Sequence, residues 1–300
     1  MAQHDFDRIR RFAFERYPLR GHWVALDFAW RELRAHHVHP PAVRDLVGEA
    51  VAAATLLAGT LKFDGTLTLQ LQGDGLVPLL VAQCTSDFRV RGMARFEGDP
   101  AVTDFRALVG DGRVAVTVDA QERAARYQGI VPLEGASFSE CFEHYFAGSE
   151  QIPTRVRLAA DAGRAAGLLV QRLPPGVGSR DVDTETVDAL LAETGAALDA
   201  LEPQTLLSAG TESLLRTVLG TYDLRLYEGH QVRFECRCSP VRVAGMLKAL
   251  GADELHAILA EEGAVTVTCE FCGRPYRFDA IDVAQLLADG ASPSGSIRLN

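Results

Sequence analysis

The 300-residue chain has no apolar stretch long enough to cross a membrane. Its most apolar run, Ala50 to Ala58, is alanine-rich and far short of the roughly 20 residues a helical span needs. The stretch Met1 to Pro18 does not read as a secretory leader: it carries Arg8, Arg10, Arg11 and Arg16, but no continuous apolar region follows them. The cytoplasm is therefore the expected compartment, where thiols and thiolate-bound metal persist. Basic excess is absent too. The net charge is −10, whereas a nucleic-acid-binding chain is expected to carry a basic face. Catalytic signatures are equally scarce. There is no nucleophile elbow, no His-Glu-x-x-His and no dinucleotide fingerprint. Gly73-Asp74-Gly75 and Gly110-Asp111-Gly112 lack the phosphate-loop pattern and read as tight turns. The sequence gives no enzyme and no ATP site.

What is present suits an ordinary globular protein, with 47% hydrophobic and 23% charged residues and enough length for one large or two smaller cores. The acidity is concentrated. Residues 1–178 hold 20 Lys/Arg against 21 Asp/Glu, residues 179–230 hold 3 against 10, and residues 231–300 hold 7 against 9. Segment 231–278 has six of each sign, which lowers the case for a nucleic-acid module there.

Four of the six cysteines fall in two close pairs, Cys236-x-Cys238 and Cys269-x-x-Cys272, with thirty residues between them. Two close pairs on turns, brought together by a folded insert, supply the four thiolates of a tetrahedral Zn²⁺ site. Ser239-Pro240 and Gly273-Arg274-Pro275 are the turn chemistry beside each pair. The insert reads as helix, with Val243, Leu247, Leu250, Leu255, Ile258 and Leu259 at helical spacing and a break at Gly251; Val265 to Thr268 alternates like a strand. Three readings of these cysteines compete: a structural zinc knuckle, disulfides of a secreted domain, and a zinc site that is also a redox switch. Nothing else in the chain looks secreted. Cys-x-Cys is uncommon among plain zinc ribbons, and a disulfide closing so small a ring is of the labile, regulatory kind. Cys84, in an apolar strand pattern, and Cys141, in a helical one, read as small buried side chains. His36, His37 and His39 precede Pro40-Pro41 without Cys or carboxylate partners and read as a solvated loop.

The remaining patterns predict an α+β protein with antiparallel-rich sheets. Pro41 opens a helix through Leu61, with Val43, Leu46, Val47, Ala50 and Val51 on one face. Thr66 to Gln72, Val77 to Cys84 and Arg89 to Phe96 follow as strands of a meander with helices to one side. Ser137 to Glu140 is a capping box opening a helix to about Phe146. Arg155 to Ala160 and Ala165 to Gln171 flank Asp161–Arg164 as a hairpin. Leu173 to Gly178 is a boundary rich in Pro and Gly. After it Asp183 caps a helix bearing Val187, Leu190, Leu191, Leu198 and Leu201; Pro203 breaks it, and Leu206, Leu207, Leu214, Leu215, Val218 and Leu219 continue the spacing. Gly195, Gly210 and Gly220 weaken this acidic run, which needs a neighbour to cover its apolar face.

At this point the chain resembles the bacterial 33-kDa heat-shock protein family, the redox-regulated holdase chaperones. The resemblance is carried by Gly48-Glu49 through Leu61-Lys62-Phe63, Leu69 to Gly73, Tyr127 to Leu133, Tyr145-Phe146 with Ser149 to Thr154, Gly167 to Pro174, and Cys236-Arg237-Cys238-Ser239 with Cys269-Glu270-Phe271-Cys272. It implies an N-terminal α/β core (1–178), a helical linker (179–230), a zinc-binding redox-switch domain (231–288) and a flexible tail (289–300). It further implies one Zn²⁺ per reduced chain on Cys236, Cys238, Cys269 and Cys272. Oxidation would pair Cys236 with Cys238 and Cys269 with Cys272, release the metal, and yield a form, homodimeric by the same resemblance, that holds unfolding client proteins without nucleic acid, membrane or ATP. The alternatives are a zinc-ribbon interaction or nucleic-acid-binding module fused to an α/β domain, and a thiol–disulfide oxidoreductase using Cys269 and Cys272. The latter wants its Cys-x-x-Cys at a helix start on a βαβ unit, which this context does not offer.

Overall fold

The helix Pro41–Thr60 is buried on all sides from Ala50 to Ala58, because two β-sheets close on it. The computed structural model describes residues 5–98, 104–120, 126–174 and 182–288. It divides into two compact units, Met1–Glu235 and Cys236–Asn300. The expected boundary at 178 and the tail 289–300 lie outside the described residues.

In the first unit the chain runs β1 (Arg8–Phe14), β2 (Leu19–Leu26), α1 (Phe28–Arg34), α2 (Pro41–Thr60), β3 (Gly65–Gly73), β4 (Leu79–Thr85) and β5 (Arg89–Arg95). It continues through α3 (Phe105–Val109), β6 (Gly112–Ala120), β7 (Arg126–Pro132), α4 (Phe138–Tyr145) with a π-turn (Phe146–Glu150), β8 (Thr154–Ala160) and β9 (Ala165–Arg172). Next come α5 (Thr184–Asp199), α6 (Pro203–Ser208), α7 (Thr211–Leu219) and three short strands, β10 (Leu224–Leu226), β11 (His230–Gln231) and β12 (Arg233–Phe234). One sheet has the order β10-β1-β2-β9-β8, with β11 also on β1; the other has the order β12-β5-β4-β3-β6-β7. All pairings are antiparallel except β12 with β5.

The strands follow their side-chain alternation. Leu67, Leu69 and Leu71 of β3 are fully buried, while Thr68 faces outward and accepts a hydrogen bond from Gln83 Nε2 at 2.8 Å. The three strands of the expected meander are present, but β6 returns to the far side of β3. The helices also differ from the expected one-sided layer. Beyond Val43, Leu46, Val47, Ala50 and Val51, the run Ala52 to Ala58 is buried as well. Its small residues let both sheets approach: a Cβ on Gly92 of β5 would lie 2.8 Å from Val51 Cγ2, and one on Gly167 of β9 would lie 2.7 Å from Leu56 Cδ1. The buried Thr55 hydroxyl is satisfied by the Val51 carbonyl at 2.7 Å. In α4 the Ser137 hydroxyl caps Glu140 N as expected, whereas the Glu140 carboxylate accepts from Ala136 N instead of the cap residue.

The other face of the β1-β2-β9-β8 sheet is covered by α5, α6 and α7. Phe12, Trp23, Leu168 and Val170 form a second core with Leu190, Leu198, Leu206 and Leu214, distinct from the core around α2. Asp183 caps α5 through Thr186 N at 2.7 Å. Arginines of the β8–β9 hairpin hold this acidic layer. Arg155 pairs with Asp199 at 2.7 Å, Arg172 with Asp188 at 2.7 Å, and Arg157 and Arg164 donate to the carbonyls of Leu201 and Leu207 at 3.0 and 3.1 Å. Only one of the three glycines lies inside a helix. Gly210 and Gly220 are the caps of α7, and Gly195 makes room for Arg155, whose Nε would lie 2.4 Å from an added Cβ.

The second unit holds α8 (Pro240–Leu250), α9 (Ala252–Glu262), the hairpin β13 (Val265–Thr268) and β14 (Pro275–Phe278), and α10 (Ala280–Ala288). Gly251, at φ +94°, separates α8 from α9 in a conformation that favours glycine. Its core is small: Val243, Leu247, Leu255, Val265, Tyr276, Val283 and Leu286.

Candidate metal centre

Local residues position each cysteine pair, the first on the irregular stretch that leads into α8 and the second on a turn. Cys236 and Cys238 immediately precede Ser239, whose hydroxyl caps α8 by accepting from Arg242 N at 3.3 Å, with Pro240 at the first helical position. Cys269 and Cys272 occupy the β13–β14 connection. There Cys269 O accepts from Gly273 N at 2.8 Å, Cys269 N donates to Arg274 O at 3.0 Å, and Gly273 takes φ +63°. The strand register Thr268↔Pro275 closes this loop, so both thiols point to one side.

The four sulfurs lie within 4.8 Å of one another, the one group among the described residues able to hold a metal ion. Cys236 Sγ is 3.7 Å from Cys269 Sγ, and Cys238 Sγ is 3.4 Å from Cys272 Sγ. A tetrahedral Zn–S₄ site with bonds of about 2.3 Å has sulfur–sulfur edges of about 3.8 Å, so the donor set and its size fit. These separations also far exceed a disulfide bond of about 2.05 Å. Cys272 is buried and the other three are half-buried, so the site sits at a surface that small solutes reach.

The surroundings favour negative charge on one sulfur. Burial pushes the Cys238 thiol up, but the Tyr276 hydroxyl, donating to its sulfur at 3.0 Å, and the neighbouring thiols outweigh that and bring it to about 7. Burial pushes Cys236 and Cys272 up, the latter far above the usual thiol range. Arg274, whose pKa is raised first by Tyr276 and then by Cys238 and Cys272, adds positive charge beside them. A hydroxyl donated to a coordinating sulfur is the kind of outer contact that orients a ligand. Sequence reasoning missed Tyr276; its signal was the alternation of β14, which turns it toward the same side as the core residue Val265.

The other singled-out residues lie elsewhere. Cys84 is fully buried in β4 and burial holds its thiol well above the usual range; Cys141 is buried in α4, donates to Glu134 O at 2.8 Å, and is pushed up to about 12. Neither offers a thiolate near neutral pH. The histidine loop is less solvated than expected. His37 stacks on His39 at 5.0 Å, and burial with the nearby His37 charge pushes half-buried His39 down to about 4.

Residues 7–279 match the model of the Hsp33 protein family. Curated relatives include the 33 kDa chaperonin of Pseudomonas paraeruginosa strain PA7, 42% identical over 293 residues, covering 97% of each chain. That of Azotobacter vinelandii is 42% identical over 295 residues, covering 97% of this chain and 98% of the relative. The fold matches the crystal structure of the 33 kDa chaperonin (heat shock protein 33 homolog) from Thermotoga maritima, with TM-score 0.79 and 23% identity, covering 95% of this chain and 99% of that one. No described helix is long and apolar enough to cross a membrane. Family model and relatives both span nearly the whole sequence, so the chain belongs to the Hsp33 protein family.

Proposed function

We propose that the chain is a redox-regulated holdase chaperone of the cytoplasm, silent while one Zn²⁺ is held by Cys236, Cys238, Cys269 and Cys272, and active once those thiols are oxidised. The observation that carries this is the convergence of four sulfurs within 4.8 Å on two connecting segments of a small unit. When bound, zinc supplies a tetrahedral cross-link of four thiolates, contributing roughly 10 kcal/mol or more to a small fold. A core of seven buried side chains is a weak substitute.

Oxidation by a peroxide balances within each pair. One thiolate attacks a peroxide oxygen, breaking the O–O bond to give a sulfenic acid and hydroxide, and the partner thiolate displaces a second hydroxide from that sulfur to form the disulfide. Two peroxides thus take four electrons from the four cysteines, joining Cys236 to Cys238 and Cys269 to Cys272. With its ligands gone, the second unit loses the cross-link and its fold. The chain just before it is held by slender contacts. β12 is two residues long, and Glu235 donates its backbone N–H to Val90 O and pairs with Arg89. Release of β12 and then of α7, α6 and α5 exposes their apolar faces and the outer face of the β1-β2-β9-β8 sheet to unfolding clients, and the activated form assembles as a dimer. ATP and nucleic acid have no part in this cycle.

The test measures zinc content and light scattering of an unfolding client, before and after peroxide. The reading requires one zinc per reduced chain, its loss on oxidation, and suppression of aggregation only afterwards. Equal suppression by the reduced, zinc-loaded protein would refute the switch.

A further inference from the structure

The Leu61-Lys62-Phe63 stretch after α2 has no role in the thiol chemistry, yet it borders a cavity of roughly 510 Å³ in the first unit. That volume lies within the range of about 300–1,000 Å³ seen for small-molecule sites. Phe63, Phe88 and Tyr227 are among its lining residues, Arg11 and Lys62 bring cations, and His22 of β2 lies against it.

The charge of this cavity is out of balance. Neither Arg11 nor Lys62 has a carboxylate partner among the described residues; the Arg11 guanidinium instead lies over the Tyr227 ring, 5.1 Å from its centroid. Behind the wall Arg20 donates to Gln171 Oε1 at 2.8 Å and to Thr60 O at 3.4 Å, again without a carboxylate. The neighbouring groups register the excess. Burial first, then the Arg20 and Arg11 charges, push His22 down to about 3, so its ring is neutral. Against three cations stand the Glu228 carboxylate at the rim, the Asp64 carboxylate, which accepts from the lining Ser86 hydroxyl at 3.3 Å, and the C-terminal end of α2, worth about half a negative charge. About half a positive charge remains, in a chain whose net charge is −10. A helix terminus alone asks for less than one cation, so the C-terminal dipole of α2 does not explain the cluster.

One wall is also held in an unusual backbone conformation. Phe88 has φ +59°, a region a bulky residue rarely adopts and which concentrates at functional sites. It is fixed there by Phe88 N donating to Thr85 O at 2.9 Å and by Arg233 N of β12 donating to Phe88 O at 3.1 Å. Its ring stacks on His230 at 5.4 Å. Locked in this way, Phe88 keeps one face of the cavity aromatic.

We propose that this cavity binds a small aromatic anion, a flat ring bearing a phosphate or carboxylate group. Arg11 and Lys62 take the anion, and Phe63, Phe88 and Tyr227 take the ring. The Tyr227 wall belongs to the segment that leads from α7 back onto β1, so an occupied cavity ties that segment down. This site is independent of the thiol chemistry.

The test titrates the reduced, zinc-loaded full-length protein with phenyl phosphate by calorimetry, with benzoate, inorganic phosphate and phenol in parallel. Phenyl phosphate or benzoate is expected to saturate with a Kd on the order of 0.1–1 mM; which binds tighter identifies the preferred anionic group. Inorganic phosphate and phenol each lack half of the recognised chemistry and should bind about tenfold more weakly or worse. The double variant Arg11→Gln, Lys62→Gln should weaken binding about tenfold or more, with the circular dichroism spectrum unchanged. Should that variant fail to fold, Lys62→Gln alone, on an exposed side chain, should still weaken binding about threefold. The proposal is overturned if neither aromatic anion binds saturably below about 10 mM, if phenol binds as tightly as phenyl phosphate, or if the folded variants bind like the parent.

Discussion

Leu198→Glu tests whether docking of α5–α7 is what keeps the protein silent. Leu198 lies 1% exposed on the inner face of α5, packed in the core that this layer shares with the outer face of the β1-β2-β9-β8 sheet. Removing its burial loses about 1.5–3 kcal/mol, and enclosing a carboxylate without a partner costs several more. Asp199, already paired with Arg155, adds like charge next door. The apolar contacts of the other leucines still favour docking, but ordering three helices that are marginal in isolation opposes it. A loss of this size is therefore expected to tip the small net balance and undock α5 while zinc stays bound. The core around α2 is separate, formed by the opposite face of the same sheet, and should survive. Light scattering of a client, zinc content and amide exchange across 184–219 would be measured on the reduced variant. We expect fast exchange in that segment, one zinc per chain and suppressed aggregation. A folded, zinc-loaded variant with fast exchange there that fails to suppress aggregation would refute the gating argument.

Tyr276→Phe removes the hydroxyl donated to Cys238 Sγ at 3.0 Å; zinc affinity should fall about 10- to 100-fold by competition with a chelator, with the second unit still folded at saturating zinc. Cys84→Ser with Cys141→Ser should leave zinc content and peroxide activation intact while costing about 1–3 kcal/mol per buried hydroxyl left without a partner, read by denaturant unfolding. Glu49 of α2 gives a pH signature. Burial first, then the Asp45 charge, raise its carboxyl to about 7 against the partial opposition of Arg157. A carboxyl whose folded pKa is raised stabilises the protonated folded form, so its contribution is fully present below about pH 4.5 and is lost as pH rises to 7, by about 3 kcal/mol. Glu49→Gln should therefore flatten that part of the stability profile and raise stability at pH 8; a parallel profile in both proteins would contradict it.

The parts legible in sequence were those set by neighbours along the chain. The cysteines come as two close pairs along the chain, so the four converging thiols could be named, as could the strand alternation of Leu67 to Leu71 and the cap at Asp183, although only the second pair lies on a turn. What required the structure was long-range. β1 was unreadable because arginines at 8, 10 and 11 mask a strand whose two faces serve different cores, Ile9 in one and Phe12 and Phe14 in the other. The central helix looked one-sided because Ala52 to Ala58 carry too little side chain to register as a second apolar face. Their smallness is what admits the second sheet. Gly195 looked like a weakness and is the space through which Arg155 reaches Asp199.

The sheet β10-β1-β2-β9-β8 explains how a segment can be released without loss of the fold. One of its faces belongs to the core with α2, and the other is covered by α5, α6 and α7, so the strands keep an apolar floor even when the cover leaves. The covered face is rich in large side chains, Phe12, Phe14, Trp23, Leu168 and Val170, and the cover answers with leucines from three short helices. Helices of 16, 6 and 9 residues are marginal in isolation, so the undocking proposed above would melt them and leave two uncovered apolar surfaces. Under the proposed function, a floor that stays folded beside a cover that does not is what an unfolding client would meet. The arginines that pin the cover all project from the β8–β9 hairpin, on the floor side. Loss of the cover therefore leaves Arg155, Arg157, Arg164 and Arg172 around the exposed face, a positively charged frame in a chain that is acidic overall.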